Sequence, residues 1–142
     1  MSRYLSLMAS ILTLSLLTYS NPHSLAQEAR TQSSVLADIQ QSVIRAVGAQ
    51  KDTVEVAVAG NIVIVTRVNS NMNNSTHGGR DNEASAIADV VTKALVGKSE
   101  IQGIISIRVQ YVAREPDQKN SSIIDTIEFR EDPNGNFQFH KT

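Results

Sequence analysis

The chain has no cysteine, no tryptophan and few aromatic residues of any kind, which together make up 4% of its 142 residues. Without cysteine there is no disulfide framework, no thiol nucleophile and no cysteine-ligated zinc site. Lysine and arginine number 13 against 14 acidic residues, so the net charge of −1 offers no long-range field to attract nucleic acid. Few rings are available to stack on bases. The composition therefore excludes thiol chemistry and argues against nucleic-acid binding.

The first 26 residues have the pattern of an export signal. Arg3 supplies a positive n-region, and residues 5–19 form a mainly apolar run interrupted only by serine and threonine. Ser24 and Ala26 then place small residues at positions −3 and −1 of a cleavage site. The alternative is an uncleaved membrane anchor, but a span needs about 20 apolar residues and this run is shorter. We expect a signal peptide at residues 1–26 and a product in the periplasm or the extracellular medium, without a transmembrane span after processing.

The rest of the chain divides into a short leader and one domain. Residues 27–32 are mostly polar without periodicity, which predicts a flexible leader. Residues 33–142 carry all the periodic patterns and form a single predicted domain. Because the domain has no disulfide, an ordinary apolar core must hold it together, and a chain of this length buries roughly two thirds of its unfolded surface.

Two segments have the apolar spacing of amphipathic helices. The first begins at Ser33 or Ser34, which suit an N-cap, and ends at Gly48. The second follows a cap at Asp81 or Asn82 and ends at Gly97. Their apolar residues recur at steps of three and four, so each helix buries one stripe: Leu36, Ile39, Val43, Ala46 and Val47 in the first, and Ala84, Ile87, Ala88, Val91, Ala94 and Leu95 in the second.

Five segments have the β-branched or alternating pattern of strands. Residues 53–58 and 62–68 are joined through Gly60-Asn61, which predicts a tight hairpin in which Val58 opposes Val63 and Val56 opposes Val65. Residues 105–111 alternate strictly, as in a strand with one wet face. The turn Asp132-Pro133-Asn134-Gly135 separates two further strands, residues 123–130 and 136–140.

The order helix, strand, strand, helix, strand, strand, strand argues against a doubly wound parallel sheet. Two helical stripes need a common apolar surface, and an antiparallel sheet of four or five strands supplies it. The sequence therefore predicts an α+β two-layer sandwich, with both helices on one face of a mainly antiparallel sheet.

The best candidate for a ligand site lies in the long stretch without periodicity, residues 70–80, for which we expect a mobile surface loop. At its end stand His77, Gly78, Gly79, Arg80 and Asp81. Glycine lets backbone approach a ligand, a helix N-terminus offers unpaired N–H groups, and arginine adds a planar fork for carboxylate or phosphate. The competing interpretation is a solvated loop with ordinary helix punctuation, because the Gly-x-x-x-x-Gly-Lys-Ser/Thr spacing of a phosphate loop is absent.

Other chemistries find little support in the sequence. There is no His-x-His, His-x-x-x-His or paired-aspartate motif, so we expect no metal ion and no cofactor. Neither Gly-x-Ser-x-Gly nor Ser-x-x-Lys is present, and only His77 and His140 follow the signal segment to serve as a base. A binding function is therefore favoured over catalysis.

Asp125 is anomalous, because strict alternation places it on the same face as Ile123, Ile127 and Phe129. A carboxylate buried there without a partner would be costly. A bulge that changes the register, or a position at the sheet margin, would resolve the conflict, and a catalytic acid is the less favoured alternative.

The aromatic residues after the signal segment all fall in the last third of the chain, which favours core packing over an exposed binding patch: Tyr111, Phe129, Phe137 and Phe139.

Three functions remain open. The first is a small, exported, non-catalytic binding or accessory protein that contacts another protein or an envelope component through the sheet or the asparagine-rich loop. The second is a small ligand-binding or enzymatic domain centred on His77, Arg80 and Asp81. The third, a special case of the first, is a periplasmic inhibitor of a toxin or hydrolase.

Overall fold

The computed structural model describes residues 22–116 and 120–140. Within these ranges the chain forms two α-helices and five strands in the predicted order α-β-β-α-β-β-β. Two short 3₁₀-helices, Lys51–Thr53 and Asn71–Asn74, lie in the connections. The elements are α1 (Pro22–Val47), β1 (Val54–Ala59), β2 (Ile62–Val68), α2 (His77–Leu95), β3 (Ser106–Arg114), β4 (Ser121–Glu131) and β5 (Phe137–His140).

The strands form one five-stranded sheet whose spatial order, β1-β2-β3-β4-β5, equals the chain order. Every neighbouring pair is antiparallel except β2 and β3, which are parallel. A parallel pair cannot be joined by a tight turn, and here α2 makes the crossover. The predicted α+β two-layer sandwich with a mainly antiparallel sheet is confirmed, and the one parallel pair is an addition to it.

The β1–β2 hairpin has the predicted register, with Val58 opposite Val63 and Val56 opposite Val65. Gly60 has φ +60°, and Asn61 is not among the residues with positive φ. A positive φ at the first central residue alone is the type II′ arrangement, whose twist matches that of the flanking strands. The local turn residues therefore set the register.

The core lies between the two helices and one face of the sheet. Ile39 and Val43 of α1 and Ile87 and Val91 of α2 are fully buried. All four belong to the apolar stripes that the sequence spacing predicts. The sheet contributes alternate residues of its three central strands: Val63, Val65, Ile107, Val109, Ile127 and Phe129. Burial of each such apolar side chain stabilises the fold by about 1.5–3 kcal/mol.

The aromatic residues divide between core and margin. Tyr111 and Phe129 are buried, and Phe137 is half-buried against the core. Phe139 on the edge strand β5 is 45% exposed and packs edge-on against Phe129, with 5.9 Å between ring centroids. Core packing therefore accounts for Tyr111, Phe129 and Phe137, while Phe139 is only partly covered.

Both helices begin earlier than the sequence indicates. Helix α1 starts at Pro22, not at Ser33 or Ser34, so residues 27–32, expected to carry no regular structure, are helical. The predicted cleavage after Ala26 falls within this helix. Among the described residues no helix is long and apolar enough to cross a membrane.

Helix α2 starts at His77 because Thr76, not Asp81 or Asn82, is its N-cap. The Thr76 hydroxyl oxygen accepts a hydrogen bond from the Gly79 N–H at 3.2 Å. The preceding residues are also ordered into a 3₁₀-helix, whose Asn73 side chain donates to the Val112 carbonyl at 3.0 Å. The segment predicted as an irregular loop is thus mostly helical and tied to β3.

Candidate functional site

The five site residues predicted from the sequence form the first turn of α2. His77, Gly78, Gly79, Arg80 and Asp81 are therefore brought together at one helix end, where His77 and Arg80 contact Asp125 of β4. A Cβ at Gly79 would overlap the Ser75 hydroxyl, whereas a Cβ at Gly78 would meet nothing within 4 Å. Close packing against Ser75 thus accounts for one of the two glycines without a ligand.

The Arg80 side chain turns inward and binds other parts of the protein. Its Nε donates to Asp125 Oδ2 at 2.7 Å, and its Nη1 donates to the Ser75 carbonyl at 2.5 Å and to the Met72 carbonyl at 3.4 Å. The side chain is only 12% exposed. Arg80 therefore ties the start of α2 to β4 and to the 3₁₀-helix.

Asp125 is the centre of this polar cluster. Besides Arg80, it contacts His77, with 2.7 Å between Oδ2 and Nδ1, and its Oδ1 accepts from the Thr126 N–H at 2.9 Å. Burial by itself raises the pKa of Asp125, but the hydrogen bonds from Arg80 and His77 outweigh it and hold the pKa below its usual range. The carboxylate is charged and paired, which is the arrangement of a structural ion pair.

A β-bulge explains the anomalous position of Asp125. Tyr111 pairs with Asp125, but the next residue, Val112, pairs with Ile123, so Ile124 is the extra residue. Asp125 stays on the face of the core, at its margin, while Ile123 lies on the opposite face and is 62% exposed. The expectation that Ile123 shares the face of Asp125 is wrong, and the predicted bulge is the reason.

His77 is the exposed member of the cluster, with 60% of its side chain accessible. Its Nδ1 faces Asp125, and its Nε2 lies 3.5 Å from Asp81 Oδ1. Both ring nitrogens are thus directed at carboxylates. Among the described residues no group of three or more His, Asp or Glu side chains could hold a metal ion.

A second polar cluster, which the sequence analysis missed, lies beneath α2. Arg67 of β2 is 3% exposed, and its Nε donates to Glu83 Oε1 at 2.9 Å. The Tyr111 hydroxyl donates to the Arg80 carbonyl at 3.1 Å. Burial raises the pKa of Tyr111, and the nearby Glu83 carboxylate adds to the rise. Alternation from Val65 is the signal that would have placed Arg67 on the core face.

The opposite face of the sheet, called the open face below, is not covered by any helix within the described ranges. Its β1–β2 half is largely apolar, with Ala57 and Ala59 exposed and Ile62 and Ile64 half-buried. Its β3–β4 half is polar apart from Val112 and Ile123. The face includes Glu55, Ala57, Ala59, Ile62, Ile64, Thr66, Val68, Ser106, Arg108, Gln110, Val112, Arg114, Ile123, Thr126, Glu128, Arg130, Gln138 and His140.

Glu128 organises the polar half of the open face. It accepts hydrogen bonds from Arg130 at 2.9 Å, Ser106 at 3.1 Å and Arg108 at 3.2 Å. The Arg130 bond, with the help of those from Arg108 and Ser106, outweighs burial and lowers the pKa of Glu128. Two guanidinium groups share one carboxylate, so this half of the face carries a net positive charge.

Comparison of the chain with protein families, curated proteins and solved structures finds no significant match.

The Asp125 cluster makes a pH-dependent contribution to stability. We expect Asp125→Asn to lower the free energy of unfolding by about 1–2 kcal/mol near pH 7, since a hydrogen bond to a charged group is replaced by a neutral one. Because the folded pKa lies below the ordinary 3.8, the contribution is complete above that value and is lost as the pH falls through the folded pKa.

Urea unfolding of both proteins across this range tests the expectation. The stability gap is expected to narrow as the pH falls below 3.8. The matched control is Asp89→Asn on the exposed side of α2, which is expected to change stability by less than about 0.5 kcal/mol. A gap that is constant with pH would contradict the assignment of a charged Asp125.

Proposed function

We propose that this chain is an exported, non-catalytic binding or accessory protein whose open face contacts another protein or a component of the cell envelope. The observation that carries the proposal is the apolar β1–β2 half of that face. Ala57 and Ala59 are exposed, and Ile64, which pairs with Ala57, is half-buried. Adjacent apolar side chains that no helix covers are typical of an interaction surface.

The charged half of the face suits the rim of such a contact. Arg108 and Arg130 share the single carboxylate of Glu128, which leaves guanidinium N–H groups for acceptors on a partner. Protein interfaces usually combine an apolar area with polar and charged groups beside it. An inhibitor of a toxin or hydrolase would use the same surface and is included in the proposal.

The second candidate function, a ligand-binding or enzymatic centre at His77, Arg80 and Asp81, has less support. Arg80 would have to release Asp125 and two backbone carbonyls before it could bind an anion. Both ring nitrogens of His77 would likewise have to leave carboxylates. The feature that supports this candidate is the exposure of the His77 side chain to solvent.

Site-specific photocrosslinking in the cell that makes the protein tests the proposal. A photoreactive residue at Ile64 on the open face is expected to capture a defined partner, and one at Ser85 on the exposed side of α2 is expected to capture none. The exported product is expected to begin at Gln27. With the partner purified, Ile64→Glu is expected to weaken binding at least about tenfold, because it places a charge against an apolar contact.

Ser85→Glu is the matched control and is expected to leave binding unchanged. Capture with equal yield from Ile64 and Ser85, or from neither, would contradict the open-face proposal. If His77→Ala and Arg80→Met abolish binding while Ile64→Glu retains it, the function belongs to the start of α2 and the second candidate is correct.

A further inference from the structure

A polar pocket lies at the end of the sheet, away from the open face. It has a volume of about 290 Å³ and is enclosed by the segment that follows α1 and the segment that follows β2. Arg67 is the only ionisable residue among those that line it, and the others contribute hydroxyl, amide, aliphatic and backbone groups: Val47, Gly48, Ala49, Gln50, Thr53, Asn69, Ser70 and Asn71. The pocket is therefore polar with one positive charge.

The guanidinium group of Arg67 presents two different edges. Its Nε is directed at Glu83, which does not line the pocket. Its Nη1 and Nη2 are directed at Thr53 and Ser70, which do. The Nη edge thus faces the pocket, and the Nε edge faces the core.

The partners of the Nη edge are neutral and distant. Nη1 lies 3.4 Å from the Thr53 carbonyl and 3.3 Å from the Thr53 hydroxyl, and Nη2 lies 3.2 Å from the Ser70 hydroxyl. A charged donor and a carboxylate normally approach to about 2.7–2.9 Å. Arginine can bind both oxygens of one carboxylate through two parallel N–H groups, one on Nη1 and one on Nη2. Here the acceptors of these nitrogens are neutral and their hydrogen bonds are long, so a carboxylate would be a stronger partner.

The surroundings of Arg67 favour a single negative charge over a double one. Glu83 already compensates the guanidinium from the core side at 2.9 Å. Helix α1 also ends beside the pocket, and the carbonyl groups at a helix C-terminus carry partial negative charge. A carboxylate monoanion adds less repulsion to these groups than a phosphate dianion does.

We propose that this pocket binds a small monocarboxylate, whose two oxygens are held by Nη1 and Nη2 of Arg67. Its volume lies at the lower limit of ligand pockets, roughly 300–1,000 Å³. The carboxylate belongs to a free small acid or to the C-terminus of a peptide chain. The site is independent of the open face and does not rest on the proposed function.

NMR titration of the purified protein tests the site with three probes at constant ionic strength: sodium propionate, acetyl-Gly-Ala with a free carboxylate, and acetyl-Gly-Ala amide. The free carboxylates are expected to cause saturable shifts of the Gly48, Ser70 and Asn71 amide signals, and the amide is expected to cause none. Propionate binding alone identifies a free acid as the ligand, and binding of the free peptide alone identifies a chain terminus.

Two variants separate this site from non-specific charge effects. Arg67→Lys keeps the charge but loses the planar edge, so binding is expected to weaken about tenfold. Asn71→Asp places a negative charge at the pocket on an exposed residue and is expected to weaken binding about fivefold. Asn74→Asp, on the same 3₁₀-helix but outside the pocket lining, is the matched control.

The Asn71 and Asn74 variants keep the test decisive even if Arg67→Lys does not fold. Equal shifts with the free and amidated peptides, no saturable shift with either carboxylate, or equal affinities of Asn71→Asp and Asn74→Asp would each overturn the proposal.

Discussion

Replacing Glu83 by glutamine is expected to lower the free energy of unfolding by about 3–5 kcal/mol, because it leaves the buried Arg67 charge without a counter-ion. Arg67 and Glu83 have side chains that are only 4% and 13% exposed, and 2.9 Å separates Nε from Oε1. Glutamine retains the shape and an acceptor oxygen but not the charge. The loss therefore measures the charge compensation beneath α2.

The double variant Arg67→Met/Glu83→Met is the informative control. Exchanging a whole buried ion pair for apolar side chains of similar size is often neutral or stabilising, whereas removing one partner is not. We expect the double variant to be clearly more stable than Glu83→Gln in urea unfolding monitored by circular dichroism. A loss below about 1 kcal/mol for Glu83→Gln would show that water, not Glu83, compensates Arg67.

Replacing Ile87 by alanine is expected to lower the free energy of unfolding by about 2–5 kcal/mol, because it leaves a cavity at a fully buried position of α2. Ile87 is 0% exposed and belongs to the core cluster. The same substitution at Ile123, which is 62% exposed on the open face, is expected to change stability by less than about 0.5 kcal/mol.

Thermal and urea unfolding of the two alanine variants provide the comparison. If Ile87→Ala lowers the free energy of unfolding and Ile123→Ala does not, residues on the open face can be substituted for binding experiments without loss of the fold. If Ile123→Ala costs as much as Ile87→Ala, Ile123 is packed in the folded protein, and the bulge before Asp125 does not turn it outward.

Local patterns predicted the elements and their buried faces well. The Gly60-Asn61 turn and the alternating valines of β1 and β2 specified the hairpin register, since both signals lie within the hairpin itself. The stripes that contain Ile39 and Ile87 identified the buried sides of the helices. The helix starts were less determined, because Thr76 and Asp81 both suit an N-cap and only the ordered 3₁₀-helix before Thr76 favours the first.

Local sequence patterns predicted the candidate sites only in part. The spacing of His77, Arg80 and Asp81 was visible in the sequence, but Asp125, which binds both His77 and Arg80, stands 45 residues beyond Arg80. Arg67 and Glu83, 16 residues apart, meet only when α2 folds over the sheet. No local rule predicts which of the many possible pairs of charges will meet.

The sequence alone determined the two amphipathic helices, the five strands and the two-layer arrangement, because periodicity and turn chemistry act between residues that are close in the chain. Only the tertiary structure decided the parallel pairing of β2 and β3, the partners of Arg67 and Arg80, and the face to which Ile123 points. These depend on contacts between distant segments, and their positions are set by the packing of α2 across the sheet and by one extra residue in β4.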